Sequence, residues 1–341
     1  MRVLLTGVGG FIGAHCLQYF LTNTDWEIIG IDSFYHKGTP SRINDLVWAN
    51  TASRVKIYQH DLATPLPETL INKIHNARIE DGLVIKDDID IIINMASDSA
   101  VERSGDNPRA CLTNNYNLVI NMLEYARICK PKIFFQVSTD EVYGQADLEN
   151  PHTEWSPIVP SNPYSASKAA QEAVAISYWR CFDVPVVITN TVNNFGEAQD
   201  PEKFIPKIMQ CILNGTEIPI YEGGSRFYLY AKNHADVFVF LSNVEPTMYD
   251  GGKNQLPDRY NVTSTDRPYS NLEIANYVAD VMDMPLKVKV ISGETVRKGY
   301  DKQYALDNSK LSWMGWCPPI PFELGMDNTI NWSLNNPHWI I

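Results

Sequence analysis

Three glycines near the amino terminus constrain the fold of this chain more than any other feature. They are Gly7, Gly10 and Gly13. An apolar segment that predicts a β-strand, Arg2–Leu5, precedes them, and an amphipathic segment that predicts a helix, Gly13–Leu21, follows. Glycines at this place permit a tight turn and let the N–H groups at the start of a helix approach a phosphate closely. The sequence therefore predicts a strand, a phosphate-binding turn and a helix.

Apolar segments of strand length alternate with helical segments through the first half of the chain. The further predicted strands are Glu27–Ile31, Val55–Gln59, Ile89–Met95, Lys132–Val137 and Pro185–Thr189. The further predicted helices are Cys111–Ile128 and Ser165–Phe182. Such alternation is typical of a parallel sheet with helices on both faces. The predicted fold class is therefore α/β, with a Rossmann-type doubly wound parallel sheet.

The second half of the chain differs in composition and has more predicted loops, prolines, glycines and aromatic residues. Two helical segments remain there, Phe204–Asn214 and Asn271–Met282. This indicates a smaller, interleaved C-terminal domain that covers a substrate. We predict a nucleotide-binding domain at 1–191, a return to it at about 225–262, and a mainly substrate-binding domain at 192–341.

The charge of the chain excludes some partners. The 341 residues carry a formal net charge of −12, and the pI is about 5.0. Bulk charge of this sign repels nucleic acids and anionic membranes, so we expect neither as a partner. If the ligand is an anion, individual lysines and arginines must hold it.

Cysteine and histidine patterns give no sign of a metal site. The six cysteines form no CxxC pair, and the seven histidines form no HExxH motif. We expect reduced, mostly buried thiols in preference to disulfides, and no metal. The chain also lacks the long apolar segment of a signal peptide or a membrane span. These features favour a location in the cytoplasm.

A carboxylate at the end of the second predicted strand indicates the cofactor. Asp32 lies 19 positions beyond Gly13. A carboxylate there accepts the ribose hydroxyls and repels a 2′-phosphate, which favours NAD over NADP. The alternative is a turn residue. The residues of the turn expected to contact NAD are Gly7, Gly10, Phe11, Ile12 and Gly13.

A second carboxylate follows the third predicted strand. Asp61, with Leu62 beside it, is in position to bind the adenine amino group of the cofactor. The alternative is that Asp61 caps a helix that starts at Leu62. Both interpretations stay open at the level of sequence.

A tyrosine and a lysine four residues apart provide a candidate reaction centre. Tyr164 and Lys168 lie on one face of the predicted helix. The ordinary tyrosine pKa of about 10 makes it a poor base at neutral pH. A nearby ammonium and a positively charged nicotinamide would lower the pKa of Tyr164 and make a phenolate attainable. An exposed pair without function is the alternative.

Several longer motifs carry a resemblance to a known family. They are STDEVYG at 138–144, NPYSASKAA at 162–170, Asn193–Gly196, PEKFIPK at 201–207 and YALDNSKL at 304–311. Together with the glycine turn, they resemble the extended short-chain dehydrogenase/reductases. Within that group, the chain is similar to the nucleotide-sugar 4,6-dehydratases, above all those that act on dTDP-glucose. The motifs span nearly the whole chain.

The resemblance implies a reaction and five catalytic residues. An NDP-hexose, with dTDP-glucose as first choice, loses water to give the 4-keto-6-deoxy sugar, and NAD is reduced transiently. Thr139 is expected to bond the oxygen on C4, Glu141 to remove the proton on C5, and Asp140 to protonate the departing 6-hydroxyl. Tyr164 and Lys168 are expected to serve the first oxidation. Two adjacent carboxylates suit this chemistry because their repulsion keeps one of them protonated near neutrality.

The resemblance also implies a substrate site. The residues expected there are Ser99, Asn193, Lys203 and Arg226. An exposed lysine at 203 and a turn asparagine at 193 are the alternatives. The family pattern is broken at Ala100, Phe227, Lys232, Asn233 and 301–303. All these positions are on the substrate side, so the resemblance indicates the reaction class more firmly than the nucleotide or the sugar.

Two other functions compete with this hypothesis. A nucleotide-sugar 4-epimerase or decarboxylase has the same fold, but Asp140 has no task in either. A regulator that binds NAD without turnover would not need the five catalytic residues. By analogy with the family, we also expect a homodimer through the helices at 111–128 and 165–182. The alternative is that these helices only pack on the sheet.

Overall fold

A seven-stranded parallel sheet forms the centre of the molecule. The computed structural model describes residues 1–35, 37–47, 53–80, 83–263, 267–291, 301 and 303–340. The strands are β1 (Arg2–Thr6), β2 (Glu27–Asp32), β3 (Val55–Gln59), β4 (Arg78–Glu80), β5 (Leu83–Ile85), β6 (Ile91–Asn94), β7 (Ile133–Thr139), β8 (Val186–Thr191), β9 (Asn193–Phe195), β10 (Ile218–Tyr221), β11 (Ser225–Arg226), β12 (Tyr228–Tyr230), β13 (Asp258–Val262), β14 (Tyr269–Ser270) and β15 (Val288–Ile291). The central sheet has the order β13-β8-β7-β6-β1-β2-β3.

Helices cover this sheet and build the second half. They are α1 (Phe11–Asn23), α2 (Pro40–Leu46), α3 (Glu68–Ile74), α4 (Val101–Asp106), α5 (Pro108–Cys129), α6 (Pro163–Phe182), α7 (Phe204–Asn214), α8 (Ala231–Leu241), α9 (Asn271–Met282), α10 (Ser309–Trp313) and α11 (Phe322–Asn335). Single 3₁₀ turns occur at Asp140–Val142 and Pro337–Trp339. Among the described residues, none of the helices is long and apolar enough to cross a bilayer.

Strand order explains where a ligand site must lie. β1 pairs with β2 on one side and with β6 on the other, so the chain reverses its winding direction there. In open parallel sheets, the crevice at such a reversal, outside the carboxyl ends of the strands, binds ligands. The predicted Rossmann-type sheet is confirmed, and its carboxyl edge is the place to look for function.

Opposite faces of each strand contact different helices. Val3 and Leu5 point to the core that contains α1 and α8, whereas Leu4 points to the core that contains α5 and α6. All seven residues of β7 are buried, as expected for a strand covered on both faces. A third core unites α7, α9 and α11 and supports the substrate side.

Four strands extend further toward the carboxyl edge than the sequence predicted. β1 ends at Thr6 instead of Leu5, and β2 ends at Asp32 instead of Ile31. β7 ends at Thr139 instead of Val137, and β8 ends at Thr191 instead of Thr189. Their last residues pair in register, so Thr139 lies opposite Thr191. This pairing fixes the backbone at the position where polar side chains begin.

The late strand β13 pairs with β8 in parallel, with Val262 opposite Thr191. A segment from the range 225–262 therefore lies in the central sheet. The division into two domains remains a prediction, since strand pairing alone does not define a domain boundary.

Candidate active site

A cavity of about 580 Å³ opens at the carboxyl edge of the sheet. The sequence-predicted residues that line it are Gly7, Gly10, Phe11, Ile12, Gly13, Asp32, Asp61, Leu62, Ser99, Thr139, Glu141, Tyr164, Lys168, Asn193, Lys203 and Arg226. Asp140 is the one predicted residue that does not line it, because its side chain is buried behind Thr139. The chain thus brings residues that are far apart in sequence, from Gly7 to Arg226, into one space.

The glycine turn has the backbone geometry that a pyrophosphate requires. Gly7 has φ +70°, and its N–H donates to the Ile31 carbonyl oxygen at 2.8 Å. A Cβ atom on Gly13 would lie 2.1 Å from the Gly7 carbonyl oxygen, so only glycine fits there. Gly10 is the N-cap residue of α1 and provides no side-chain cap. The first N–H groups of α1 therefore remain available to an anion, as a dinucleotide site demands.

Asp32 has the turn role that the sequence allowed as an alternative, and its role toward a ribose stays a prediction. Its carboxylate accepts the N–H of Gly9 at 2.8 Å and that of Phe34 at 2.9 Å, which stabilises the turn after β2. The same side chain also borders the cavity.

Asp61 does not cap a helix, so that alternative was wrong. Its carboxylate accepts the N–H of Ala63 at 2.9 Å within a turn, and the next helix, α3, begins only at Glu68. Leu62 packs into the core beside α5, which holds Asp61 against the cavity.

The end of β7 arranges three candidate catalytic side chains. The Thr139 hydroxyl donates to Asp140 Oδ1 at 3.0 Å and accepts the Glu141 N–H at 3.3 Å. It also shares a hydrogen bond with the Tyr164 side chain. Glu141 accepts from Asn162 Nδ2 at 2.9 Å, and Asn162 is itself fixed as the N-cap of α6. The start of α6 thereby aims Glu141 as well as Tyr164.

Asp140 has the most perturbed carboxyl of this group. Burial raises its pKa to about 7, and the neighbouring Glu141 adds to the rise. The Thr139 hydrogen bond and the charge of Arg226 act in the opposite direction but do not cancel it. A carboxyl with this pKa is about half protonated near pH 7, so it can act as a general acid in the neutral range.

Lys168 is buried, and its ammonium bonds to neighbours on β7 and α6. Its Nζ donates to the Val137 carbonyl oxygen at 2.6 Å and to Gln171 Oε1 at 2.7 Å. Burial lowers the pKa of Lys168 to about 8. The pKa of Tyr164 lies above its ordinary value, because burial and the charges of Glu141 and Asp140 raise it. Burial is the largest cause of this rise. The lowering that we predicted from Lys168 together with a bound nicotinamide stays a prediction.

The substrate side combines loops from three parts of the chain. Arg226 donates to the carbonyl oxygens of Ser225 and Asp301, each at 2.8 Å, and its guanidinium lies 5.0 Å from the Tyr304 ring centroid. Lys203 immediately precedes α7 and borders the cavity. A guanidinium and an ammonium here suit a diphosphate, which binds arginine in a bidentate way.

Comparisons with known proteins fit this geometry. A family model described as GDP-mannose 4,6 dehydratase matches residues 4–329. The chain belongs to this dehydratase family. The predicted resemblance to nucleotide-sugar 4,6-dehydratases is therefore confirmed, and so is the enzyme class, a hydro-lyase.

Individual relatives match along the full chain. The low-salt glycan biosynthesis protein Agl12 of Haloferax volcanii is 31% identical over 98% of this chain and 99% of its own. The dTDP-glucose 4,6-dehydratase of Salmonella typhimurium is 28% identical over 100% of this chain and 94% of its own. The structure of DesIV, a dTDP-glucose 4,6-dehydratase from Streptomyces venezuelae with NAD bound, superposes with a TM-score of 0.83 at 27% identity, covering 99% and 98% of the two chains.

The positions that break the family pattern have structural roles here. Phe227 is buried in the core around α1 and α8. Lys232 Nζ lies 2.9 Å from Glu197 Oε1, which also accepts the Tyr230 hydroxyl. Asn233 exchanges hydrogen bonds with the backbone of Ile320. These substitutions therefore contribute to packing beneath the substrate loops and have no described contact with the cavity.

The remaining differences lie closer to the cavity. Ala100 precedes α4 and accepts the Ser104 N–H through its carbonyl oxygen. The Gln303 carbonyl oxygen accepts the Ala146 N–H at 3.2 Å. Lys302 lies outside the described residues.

Two residues of the site escaped the sequence analysis. Asn162 holds Glu141, and Gln171 holds Lys168. The asparagine had a sequence signal, since Asn-Pro is a typical start of a helix. Gln171 had a signal as well, because it lies three residues beyond Lys168 on the same helix, a spacing at which side chains meet.

Proposed function

We propose that this chain is an NDP-hexose 4,6-dehydratase whose preferred substrate is dTDP-glucose. The cofactor is NAD, as the sequence predicted. The observation that carries the proposal is the cluster of Asp140 and Glu141 beside Tyr164 and Lys168. Of these, Asp140 has a pKa of about 7. Two of the relatives described above are dTDP-glucose 4,6-dehydratases by name, which supports the choice of nucleotide and sugar.

Cofactor placement follows from the glycine turn. The N–H groups at the start of α1 hold the pyrophosphate, Asp32 accepts the hydroxyls of the adenosine ribose, and Asp61 meets the adenine. Bound NAD supplies the chemistry of hydride exchange with the sugar. Lys168 borders the same cavity and keeps an ammonium near the part of the cofactor that reacts with the sugar.

The chain's own residues move the protons. Tyr164 takes the proton of the 4-hydroxyl, and the Thr139 hydroxyl bonds the oxygen on C4. The ketone at C4 acidifies the neighbouring C–H bond, so Glu141 can remove the proton on C5. Asp140 supplies a proton to the departing 6-hydroxyl. Since Thr139 separates Asp140 from the cavity, that proton passes through the Thr139 hydroxyl or follows a rotation of the Asp140 side chain.

The substrate diphosphate is held on the opposite wall. Arg226 and Lys203 neutralise its charge, Asn193 bonds its oxygens, and Ser99 contacts the sugar. These assignments explain how an acidic chain binds an anionic substrate through a few local cations.

The decisive experiment is turnover of a substrate panel. Purified protein with NAD is incubated with dTDP-, UDP-, GDP- and CDP-hexoses, and the 4-keto-6-deoxy product is detected by mass spectrometry as loss of water. We expect the fastest turnover with dTDP-glucose. Deuterium placed on C4 of the sugar should appear on C6 of the product.

Three outcomes would contradict the proposal. A 4-epimer without water loss would indicate an epimerase, loss of CO₂ from an NDP-hexuronic acid would indicate a decarboxylase, and bound NAD without any product would indicate a regulator. Asp140→Asn is the matched control, because it keeps the shape of the site and removes its acid.

The assembly and the location form the last part of the proposal. We propose a cytoplasmic homodimer that forms through α5 and α6. Leu112 and Tyr116 lie one turn apart on α5 and are 38% and 46% exposed, so this helix retains apolar surface. Light scattering should give twice the 38.6 kDa chain mass. Leu112→Asp should yield monomers, and a monomeric parent protein would refute the dimer.

A further inference from the structure

Gln171 stands out among the buried residues because it contacts the candidate catalytic lysine directly. It lies three residues beyond Lys168 on α6 and is fully buried. Its Oε1 atom accepts from Lys168 Nζ at 2.7 Å, and its Nε2 atom donates to the Asn115 carbonyl oxygen at 2.8 Å. One side chain thus connects the lysine on α6 with the backbone of α5.

A chain of buried polar groups continues from Gln171 across the sheet. Gln136 Nε2 on β7 donates to Gln171 Oε1 at 3.4 Å, and Gln136 Oε1 accepts from Asn94 Nδ2 on β6 at 2.9 Å. The Thr6 hydroxyl on β1 donates to Asn94 Oδ1 at 3.1 Å. It also accepts the N–H groups of Met95 and Ala96. The series therefore runs from the lysine to the residue that precedes the glycine turn.

Buried amides are costly unless their hydrogen bonds are made. None of the side-chain polar atoms of Thr6, Asn94, Gln136 and Gln171 lacks a partner in the described part of the chain. A network that is satisfied in this way is rigid and favours one arrangement of its members. It leaves the Gln171 carbonyl group fixed toward Lys168.

Few charges around Lys168 stabilise its ammonium, so an additional hydrogen-bond acceptor contributes to keeping it charged. Glu172, on the same helix, favours the ammonium, but it is also bound to Arg259. The other ionisable groups near this end of α6 are Tyr164, Cys111 on α5, Asp140 and Glu141 after β7, and the ion pair of Arg103 with Asp98 at α4. Burial opposes the charge of Lys168 and leaves its pKa at about 8.

We propose that Gln171 is a positioning residue that keeps Lys168 charged and fixed against β7 through its side-chain carbonyl group. The catalytic use of Lys168 rests on the function proposed above. The effect of Gln171 on the charge of Lys168 does not depend on that function. A glutamine is suited to this task because it stabilises an ammonium without adding a charge to a site that must also hold an anionic substrate.

The test begins with the charge of Lys168 itself. Protein labelled with ¹³C at the lysine ε-carbons is titrated by NMR, and the Lys168 signal is identified by its loss in Lys168→Arg. Gln171→Met removes the acceptor at nearly the same length, and the midpoint should fall by about one pH unit, since hydrogen bonds to charged groups are worth this much. Gln171→Glu places a carboxylate oxygen there, and the midpoint should rise.

Ser167→Ala is the matched control. Ser167 is a buried neighbour on α6 that accepts from Asn115 Nδ2 at 2.8 Å, but it makes no described bond to Lys168. The Ser167→Ala variant should have a lower thermal stability and an unchanged midpoint of the Lys168 titration. Equal midpoints in all Gln171 variants, or an equal shift in the control, would overturn the proposal.

Activity gives a second, separate readout. Ionisation of Asp140 already lowers kcat/KM above about pH 7, and loss of the Lys168 charge adds to the fall at higher pH. If the ammonium is needed, the alkaline limb should therefore move to lower pH in Gln171→Met and should not do so in Gln171→Glu. A purely structural role would lower the rate at every pH without moving the limb. If no sugar nucleotide is turned over, the proposed function fails, while the NMR titration still decides the role of Gln171.

Discussion

Two buried carboxyls near the active site show how differently one fold can treat the same chemical group. Glu172, inside α6, accepts from Arg259 Nη2 at 2.7 Å and from Asn190 Nδ2 at 2.8 Å. Asp140, at the end of β7, accepts the Thr139 hydroxyl at 3.0 Å and lies next to a second carboxylate. Both are at most 4% exposed. Glu172 is thus held by a buried guanidinium, whereas burial, together with a neighbouring carboxylate, raises the pKa of Asp140 to about 7.

The largest loss of stability should come from breaking the buried ion pair of Arg259 with Glu172. Arg259→Met leaves Glu172 buried without its cation, and such changes destabilise a protein by about 3–5 kcal/mol. The free energy of unfolding, measured in urea, should fall by this amount. The double variant Glu172→Gln with Arg259→Met should recover most of it, since no charge is then left buried. A single variant as stable as the parent would show that this pair is not formed in solution.

Removal of the exchangeable proton should affect catalysis more than stability. Asp140→Asn deletes the acid, and general acid catalysis contributes about 10²- to 10⁴-fold. Water loss should slow by about 100-fold or more, whereas the first reduction of NAD, followed at 340 nm, should slow much less. An equal loss in both steps would mean that Asp140 holds the site together instead of acting as the acid.

The same residue predicts how stability depends on pH. Asp140 ionises near its ordinary pKa of 3.8 when unfolded and near 7 when folded. Between these values the folded state binds one more proton, so its stability falls as the pH rises, by up to about 1.4 kcal/mol per pH unit. Asp140→Asn should remove this contribution. Its melting temperature relative to the parent should therefore be higher at pH 8 than at pH 4, and a constant difference would contradict the raised pKa.

The smallest effect is expected for an exposed ion pair. Arg267 lies 2.9 Å from Glu273, and the two side chains are 55% and 46% exposed. Water and salt screen such pairs, which contribute about 0–1 kcal/mol. Arg267→Ala should therefore change the urea midpoint only slightly. A loss as large as that of Arg259→Met would show that burial is not what distinguishes these pairs.

Hydrophobic pattern predicted six of the seven strands of the central sheet and five of the eleven described α-helices. α7 and α9 have the predicted bounds, because their apolar faces and terminal residues are encoded locally. The ends of β7 and β8 were not predicted, since Thr139 and Thr191 are polar and their strand conformation comes from pairing with each other. Pairing between strands far apart in sequence has no local signal.

The site could be predicted as a set of residues but not as a set of contacts. The spacing of Tyr164 and Lys168 placed both on one face of α6, and the motif at 138–144 placed the carboxylates. The partners of Lys168 and the direction of the Tyr164 pKa shift depend on burial and on charges from other segments. These quantities arise only after the chain has folded.

The position of β13 has a consequence for how the chain folds. β8 lies between β7 and β13, yet Thr191 meets its partner Val262 only after a further 71 residues have been made. Until then, β8 offers an open row of backbone donors and acceptors to neighbouring chains. A chain that stops before residue 258 should therefore aggregate during synthesis, although it contains the glycine turn and all five candidate catalytic residues.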